Sequence, residues 1–289
     1  MIFGVELHTG TDGVAPAIRT ILIEVLYIDV PTDGDGGGTL TPFDEGAIER
    51  PHFNVSRPTP PTIQVRNQIL RQVPDGDRDV LLAEADHVRL PAGDLIARPG
   101  DPISSAYFLD TGVVSLVTEM TTGHQVAVAA IGAEGLVGLE PLFGVSQFAH
   151  RIVVLVDSSG YRIPADRFRR VFQQSEVFRR VTLMHIGRRM SELVIAAACN
   201  RAHSHRQRLA RWLLVTTDKA GQRSLRVTHE TLAQMVGGPR HAVTVALNEL
   251  RVKGAITHLR GRIDILKRSV LVGQACECYD VLANLVHRS

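Results

Sequence analysis

The segment from Thr228 to Leu266, THETLAQMVGGPRHAVTVALNELRVKGAITHLRGRIDIL, constrains the fold more than any other part of the chain. It reads as a helix, a glycine turn, a second helix and a two-stranded wing. Thr228 is placed as an N-cap, and Glu230 stands in the first turn, where the helix dipole favours a carboxylate. Leu232, Met235 and Val236 form an apolar stripe at helical spacing. Gly237-Gly238 breaks the helix, because glycine accepts the positive φ of a tight turn. Pro239 reads as the first residue of the second helix, where a preset φ helps and a missing N–H costs nothing. Val243, Leu247 and Leu250 supply that helix's buried face. Arg240, His241 and Thr244 are left outward at its N-terminal end, the end a recognition helix inserts into a major groove.

An ordinary helical hairpin followed by a β-hairpin would show the same local pattern, but two further features argue against it. Ala255 to Leu266 alternates around Arg260-Gly261-Arg262, a hairpin whose basic tip suits a phosphate. Charge also divides along the chain. Residues 200–270 hold 14 Lys+Arg against 4 Asp+Glu, a net of +10, whereas residues 1–199 carry a net of −7. The whole-chain charge of +2 conceals a basic module on an acidic body. A basic helix-turn-helix module predicts double-stranded DNA as the partner. The candidate contacts are Thr228, His229, Pro239, Arg240, His241, Thr244, Arg260 and Arg262.

The length of 289 residues allows two domains and a tail. No apolar run reaches the roughly 18 residues that would span a bilayer. Residues 21–30, ILIEVLYIDV, are short, interrupted by Glu24 and Asp29, and lack the flanks of a signal peptide, so a cytoplasmic protein is expected. The three cysteines, Cys199, Cys276 and Cys278, are too few for a disulfide scaffold and fit a reducing compartment. Residues 1–61, with DGDGGGT at 33–39 and RPTPP at 57–61, read as a low-complexity, disordered arm. Only residues 21–30 of that arm have the composition of a strand or helix.

Asn67 to Leu70 begins a short helix running toward Pro74. After Val88, short β-branched runs separated by glycine turns at roughly 8–12-residue spacing predict an antiparallel β-barrel or jelly roll. Arg167 to about Asn200 reads as one long helix, in which Leu183, Ile186, Met190, Leu193 and Ala197 recur at spacings of three and four. That stripe either lies on the barrel or pairs with a second copy. A homodimer is expected, because helix-turn-helix proteins read two half-sites. Residues 203–217 form a further helix, with Leu209, Trp212 and Leu213 inward and Arg206, Arg208 and Arg211 toward solvent or DNA. The expected class is therefore α+β: a sensor barrel at 62–174, a dimerisation helix at 175–201, a winged helix-turn-helix at 202–270 and a helical tail at 271–289.

This order of parts resembles the Crp/Fnr family of bacterial transcription regulators over residues 65–270. The resemblance rests on YFLDTGVVSLV at 107–117, AAIGAEGLVGLEPLFG at 129–144, HRQRLARWLL at 205–214 and the segment from Thr228. It implies a cyclic-nucleotide-binding-like barrel, a homodimer, promoter reading by the helix at Pro239, and RNA polymerase as a further partner. Arg240 falls where the family's base-contacting arginine sits, and an arginine fork on guanine is the commonest specific base contact. Two other family positions, a Glu directly after that Arg and an Arg five residues on, are His241 and Val245 here, which implies an altered operator.

The resemblance also frames the effector question. Family members that bind cyclic nucleotides use a Gly-Glu pair for the ribose and an Arg-Ser pair for the phosphate. Here Gly138 is followed by Leu139, with Glu140 one place late, and Arg151 is followed by Ile152. Gly138, Glu140 and Arg151 are thus the candidate effector positions, and two of the four determinants are missing. Cyclic nucleotide binding is not expected, and no cofactor is predicted. Residues 1–198 contain no cysteine for the family's N-terminal iron–sulfur cluster. A haem ligand would have to be His124 or His150. Cys276-Glu277-Cys278 is a weak metal motif, since a closed zinc site wants four ligands. His203 and His205 are available to complete one, although the spacing does not demand it. Those tail thiols leave a redox- or metal-responsive regulator as the alternative. Cys199, among alanines, reads as a small buried hydrophobe. No paired carboxylates, nucleophile elbow or phosphate-cradling loop suggests an enzyme.

Overall fold

The computed structural model describes residues 54–56, 65–120 and 125–287. Most of the predicted arm, including residues 21–30, lies outside the described residues, and so does His124. Part of the arm does not fit the expectation: Asn54–Ser56 is a strand, β1, paired antiparallel with β2 (Asp86–Leu90). Backbone pairing there needs no hydrophobic pattern, which is why composition alone assigned the segment to a linker.

Two short helices, α1 (Gln68–Arg71) and α2 (Asp75–Leu82), precede β2. Buried Asn67 caps α1 and also donates from Nδ2 to Leu109 O at 2.9 Å and Gly135 O at 2.8 Å, so one side chain ties the helix to a long strand and to the turn before a short one. The remaining strands are β3 (Leu95–Ala97), β4 (Ser105–Glu119), β5 (Gln125–Ile131), β6 (Leu136–Val137) and β7 (Arg151–Pro164). They form a seven-stranded antiparallel sheet in the order β1-β2-β7-β4-β5, with β3 on β7 and β6 on β4. The expected barrel is therefore an open sheet, because the pairings end at β1 and β5 without joining. At Gly160 the two long strands come so close that a Cβ would lie 2.1 Å from Phe108 O. Phe108 packs against Phe168 and Phe178 at ring separations of 5.9 and 6.3 Å, which seats the following helices on the sheet.

The single long helix expected from Arg167 is two helices, α3 (Ala165–Gln174) and α4 (Glu176–Ala202). Ser175 separates them with ψ 115°; its Oγ accepts from Phe178 N at 3.0 Å and donates to Asp77. This N-cap breaks an otherwise continuous helical pattern. Helix α5 (His205–Ala220) starts with a capping box between Ser204 and Gln207 and ends at Gly221 in the left-handed region. Then come β8 (Ser224–Arg226), α6 (His229–Val236), α7 (Arg240–Val252), the hairpin β9 (Ile256–Leu259) and β10 (Arg262–Ile265), and two tail helices, α8 (Arg268–Val272) and α9 (Cys278–His287).

The expected core residues Leu209, Trp212, Leu213, Leu232, Met235, Val236, Val243, Leu247 and Leu250 are all buried in one cluster. Val117 of β4 belongs to the same cluster, and Ser115 contacts Met235 at 3.6 Å, so the helix-turn-helix rests on the sheet. Arg208 departs from its expected outward position. It is buried, donating to Asn200 O at 3.0 Å and Gly237 O at 3.4 Å.

Candidate functional site

The head of α7 stands on its buried core with Arg240 and His241 exposed at its polar end. Thr228 Oγ1 accepts from Thr231 N at 3.1 Å and caps α6 as expected. Gly237, at φ 66°, ends that helix. Gly238 has no room for a side chain, since a Cβ would stand 2.3 Å from His205 Cδ2. Pro239 is the N-cap of α7, with φ −67° and ψ 149°, one place before its expected position; the extended ψ turns the chain into a helix that begins at Arg240.

The Arg240 side chain is 68% exposed, with Nε 3.2 Å from Glu230 Oε2. An exposed pair of this kind is worth no more than about 1 kcal/mol, so a base edge competes easily for the guanidinium. His241 and Val245 are exposed beside it. Thr228, His229 and Thr244 already have internal partners. The Thr244 hydroxyl donates to Arg240 O at 3.0 Å and lies 3.2 Å from His229 Nδ1. The His229 ring in turn packs on His258 at 4.8 Å. These three residues brace the head in this structure.

The wing turns at Arg260 (φ 48°) and Gly261 (φ 73°), two consecutive left-handed residues as a two-residue hairpin loop requires. Arg262 donates from Nε to Asp264 at 2.9 Å and remains exposed. A third strand, β8, puts exposed Arg226 directly opposite Arg262. Like charges in register oppose one another, and a phosphate backbone would relieve them. Sequence reading missed Arg226, because three residues are too few to show an alternation.

The apolar stripe of α4 does not lie on the sheet. Leu183 is 49% exposed, Met190 63% and Val194 70%, and Leu193 and Ala197 are exposed with them, while Ile186 is half-buried. The buried face of α4 holds Phe178, Val181, Thr182, His185, Arg189 and Cys199. That face meets Glu134, which receives Lys219 Nζ at 2.6 Å and two contacts from Gly132 N at 3.1 Å, with Arg189 at 3.8 Å. Burial opposes ionisation of Glu134, but Lys219 and Arg189 outweigh it and hold the carboxyl down to about 2. His185 is pushed down to about 3 by burial, reinforced by Arg189.

The three effector positions have separate engagements. Gly138, at φ 80°, sits where a Cβ would be 2.5 Å from Ser105 O, which gives it a structural reason to be glycine. Glu140 faces His150 at 3.8 Å, and burial holds that imidazole below its ordinary range in spite of the carboxylate. Arg151 reaches Glu119 at 3.5 Å, and Ile152 is fully buried among Leu90, Leu109, Val114 and Phe148. A cleft of about 460 Å³ lies instead where the sheet, α4, α5 and the tail meet, lined by Ala127, Glu192, Ala196, Trp212, Met235 and Tyr279.

The cysteines come together. Cys199, His203, Cys276 and Cys278 have their ligand atoms within 4.8 Å of one another. Cys199 is buried as expected, but among sulfurs. His205 takes no part, being packed against the Gly238 turn.

Two family models match the chain, the cyclic nucleotide-binding domain over residues 87–175 and the Crp-like helix-turn-helix domain over residues 207–272. The CRP-like protein Clp of Xanthomonas euvesicatoria pv. vesicatoria is 25% identical over 206 residues, which are 66% of this chain and 88% of that protein. The global nitrogen regulator of Synechococcus elongatus is 24% identical over 194 residues, 63% of this chain and 86% of that protein. Among solved structures, the c-di-GMP responsive global regulator CLP of Xanthomonas campestris superposes with a TM-score of 0.57 at 20% identity, covering 67% of this chain and 100% of that one. FixK2 from Bradyrhizobium japonicum gives 0.57 at 15% identity, covering 66% and 98%. These two likenesses bear on the fold.

Proposed function

The chain belongs to the Crp/Fnr family of transcription regulators, and on that premise we propose that it is a homodimer that reads a two-half-site operator through α7. The observation that carries this reading is the exposed Arg240, His241 and Val245 at the free end of a helix whose other face is wholly buried. The basic wing with Arg226, Arg260 and Arg262 supplies phosphate contacts. The exposed apolar stripe of α4 supplies the dimer seam, and two-fold pairing places two recognition helices about one DNA turn apart. His241 and Val245 set the preference away from the family's usual operator, since a valine offers only a methyl contact to thymine. The separate engagements of Gly138, Glu140 and Arg151 support a sheet domain that does not take a cyclic mononucleotide. RNA polymerase follows from the family as the second macromolecular partner.

Selection from a random duplex pool is expected to return a two-fold symmetric site. Arg240→Ala should then lose roughly 1–3 kcal/mol per half-site against the wrong base while the dimer stays intact. Selection of the same operator by the variant would remove α7 as the reading element.

A further inference from the structure

Cys199, His203, Cys276 and Cys278 come from two chain segments, the end of α4 and the start of α9, that lie more than seventy residues apart. Cys199 and His203 are four apart, on the last turn and C-cap of α4, so they share one helix face. Cys276 and Cys278 flank Glu277 just where α9 begins. Cys199 Sγ lies 3.5 Å from Cys276 Sγ, and Cys278 Sγ lies 3.7 Å from His203 Nδ1. Ligands at zinc–sulfur and zinc–nitrogen bond lengths on a tetrahedron stand about 3.5–3.8 Å apart, so these separations fit a single ion. A polynuclear iron–sulfur cluster spreads its thiolates over separate irons and needs a wider cage.

Packing does not account for the cluster. Among the described residues its buried members are the three thiols, with Ile195 the apolar side chain packed against them. The histidine is oriented as a ligand would be: Nδ1 faces the sulfurs, and Nε2 lies 3.1 Å from Glu277 Oε1. A carboxylate on the far nitrogen fixes the tautomer of a metal-bound imidazole and raises its basicity.

We propose that Cys199, His203, Cys276 and Cys278 form a Cys₃His site for one Zn²⁺, with Glu277 orienting His203. On binding, the thiol protons go to solvent and the imidazole enters neutral. The ion clamps the tail onto the junction between α4 and α5, the joint between the dimer helix and the DNA-reading module. The site stands apart from the operator reading, because loading is measured without DNA.

The full-length protein, purified under reducing conditions and given zinc, is expected to hold one equivalent per chain by mass spectrometry of the metal. Cobalt exchanged into the site should show thiolate charge-transfer absorption and tetrahedral d–d bands. Cys278→Ser and Cys199→Ser should each abolish stoichiometric zinc. His203→Gln, at the rim of the site, gives the same test where a buried cysteine variant fails to fold. Glu277→Gln should keep the site and weaken zinc affinity roughly 10- to 100-fold. Zinc no higher in the wild type than in the folded cysteine and His203 variants, cobalt spectra without thiolate bands, or a Cys199–Cys276 disulfide persisting in the reduced protein would each overturn the proposal.

Discussion

The two faces of α4 invert the usual rule of burial. Beyond Phe178 and Val181, the face turned to the sheet and α5 carries His185, Arg189 and Glu192 around Glu134 and Lys219, and it is the buried one. The face turned outward carries Leu183, Met184, Met190, Leu193 and Val194, and it is the exposed one. A lone helix on a sheet would be expected to do the reverse. The inversion makes sense if each face has a different task. In the proposed homodimer the apolar face takes a second copy, where non-directional burial supplies the energy of association. The ionic face fixes register within the protomer, because charges taken out of water tolerate one geometry and penalise others.

The largest expected break in this contrast is Glu134→Leu. It leaves Lys219 and Arg189 close together without their carboxylate, and should cost about 3–5 kcal/mol in denaturant unfolding. An unchanged midpoint would show that Glu192 alone satisfies both cations. Next is Met190→Glu, which should shift the dimer toward monomer by roughly 1.5–3 kcal/mol per copy, the value of burying a methionine. Sedimentation velocity measures this, and protomer stability should be unaffected because the side chain faces away from the fold. A variant that stays dimeric would place the seam elsewhere.

Per pH unit the effect is smaller, and it sharpens the contrast through pH. His185 has a folded-state pKa near 3 against an ordinary 6.5, so between those values the unfolded chain binds a proton that the folded chain refuses. Stability is complete above about pH 6.5 and falls as the pH drops toward 3, at up to about 1.4 kcal/mol per pH unit. Glu134 acts in the same direction at lower pH, its contribution fading from about 4.5 to about 2. His185→Leu should flatten the upper part of this window in unfolding curves taken at successive pH values. A wild-type curve already flat from pH 6.5 to 5 would mean that His185 is solvated.

What was legible in the sequence was what is local. Thr228, Glu230, Gly237, Pro239 and the stripe from Leu232 to Leu250 lie within a few turns of one another, and each encodes its own backbone state. The wing hairpin is likewise written into Arg260-Gly261. The break at Ser175 was also local, but a serine inside a strong helical period looks like an exposed helix position until its N-cap bond is seen. The metal-type cluster was legible only in part: Cys276, Cys278 and His203 were candidates, but Cys199 read as a buried hydrophobe, because it lies 77 residues from Cys276 and only the docking of the tail unites them. Arg208 was misplaced for a similar reason: the carbonyls it serves, Asn200 and Gly237, belong to different elements.

Arg208 has a geometric consequence. One of its guanidinium nitrogens holds the end of α4 and the other holds the turn that launches α7. In a two-fold assembly built on α4, the angle fixed by that planar fork becomes the span between two recognition helices. The spacing of the half-sites on DNA is then gauged by a rigid five-atom plane inside each protomer, well away from any base.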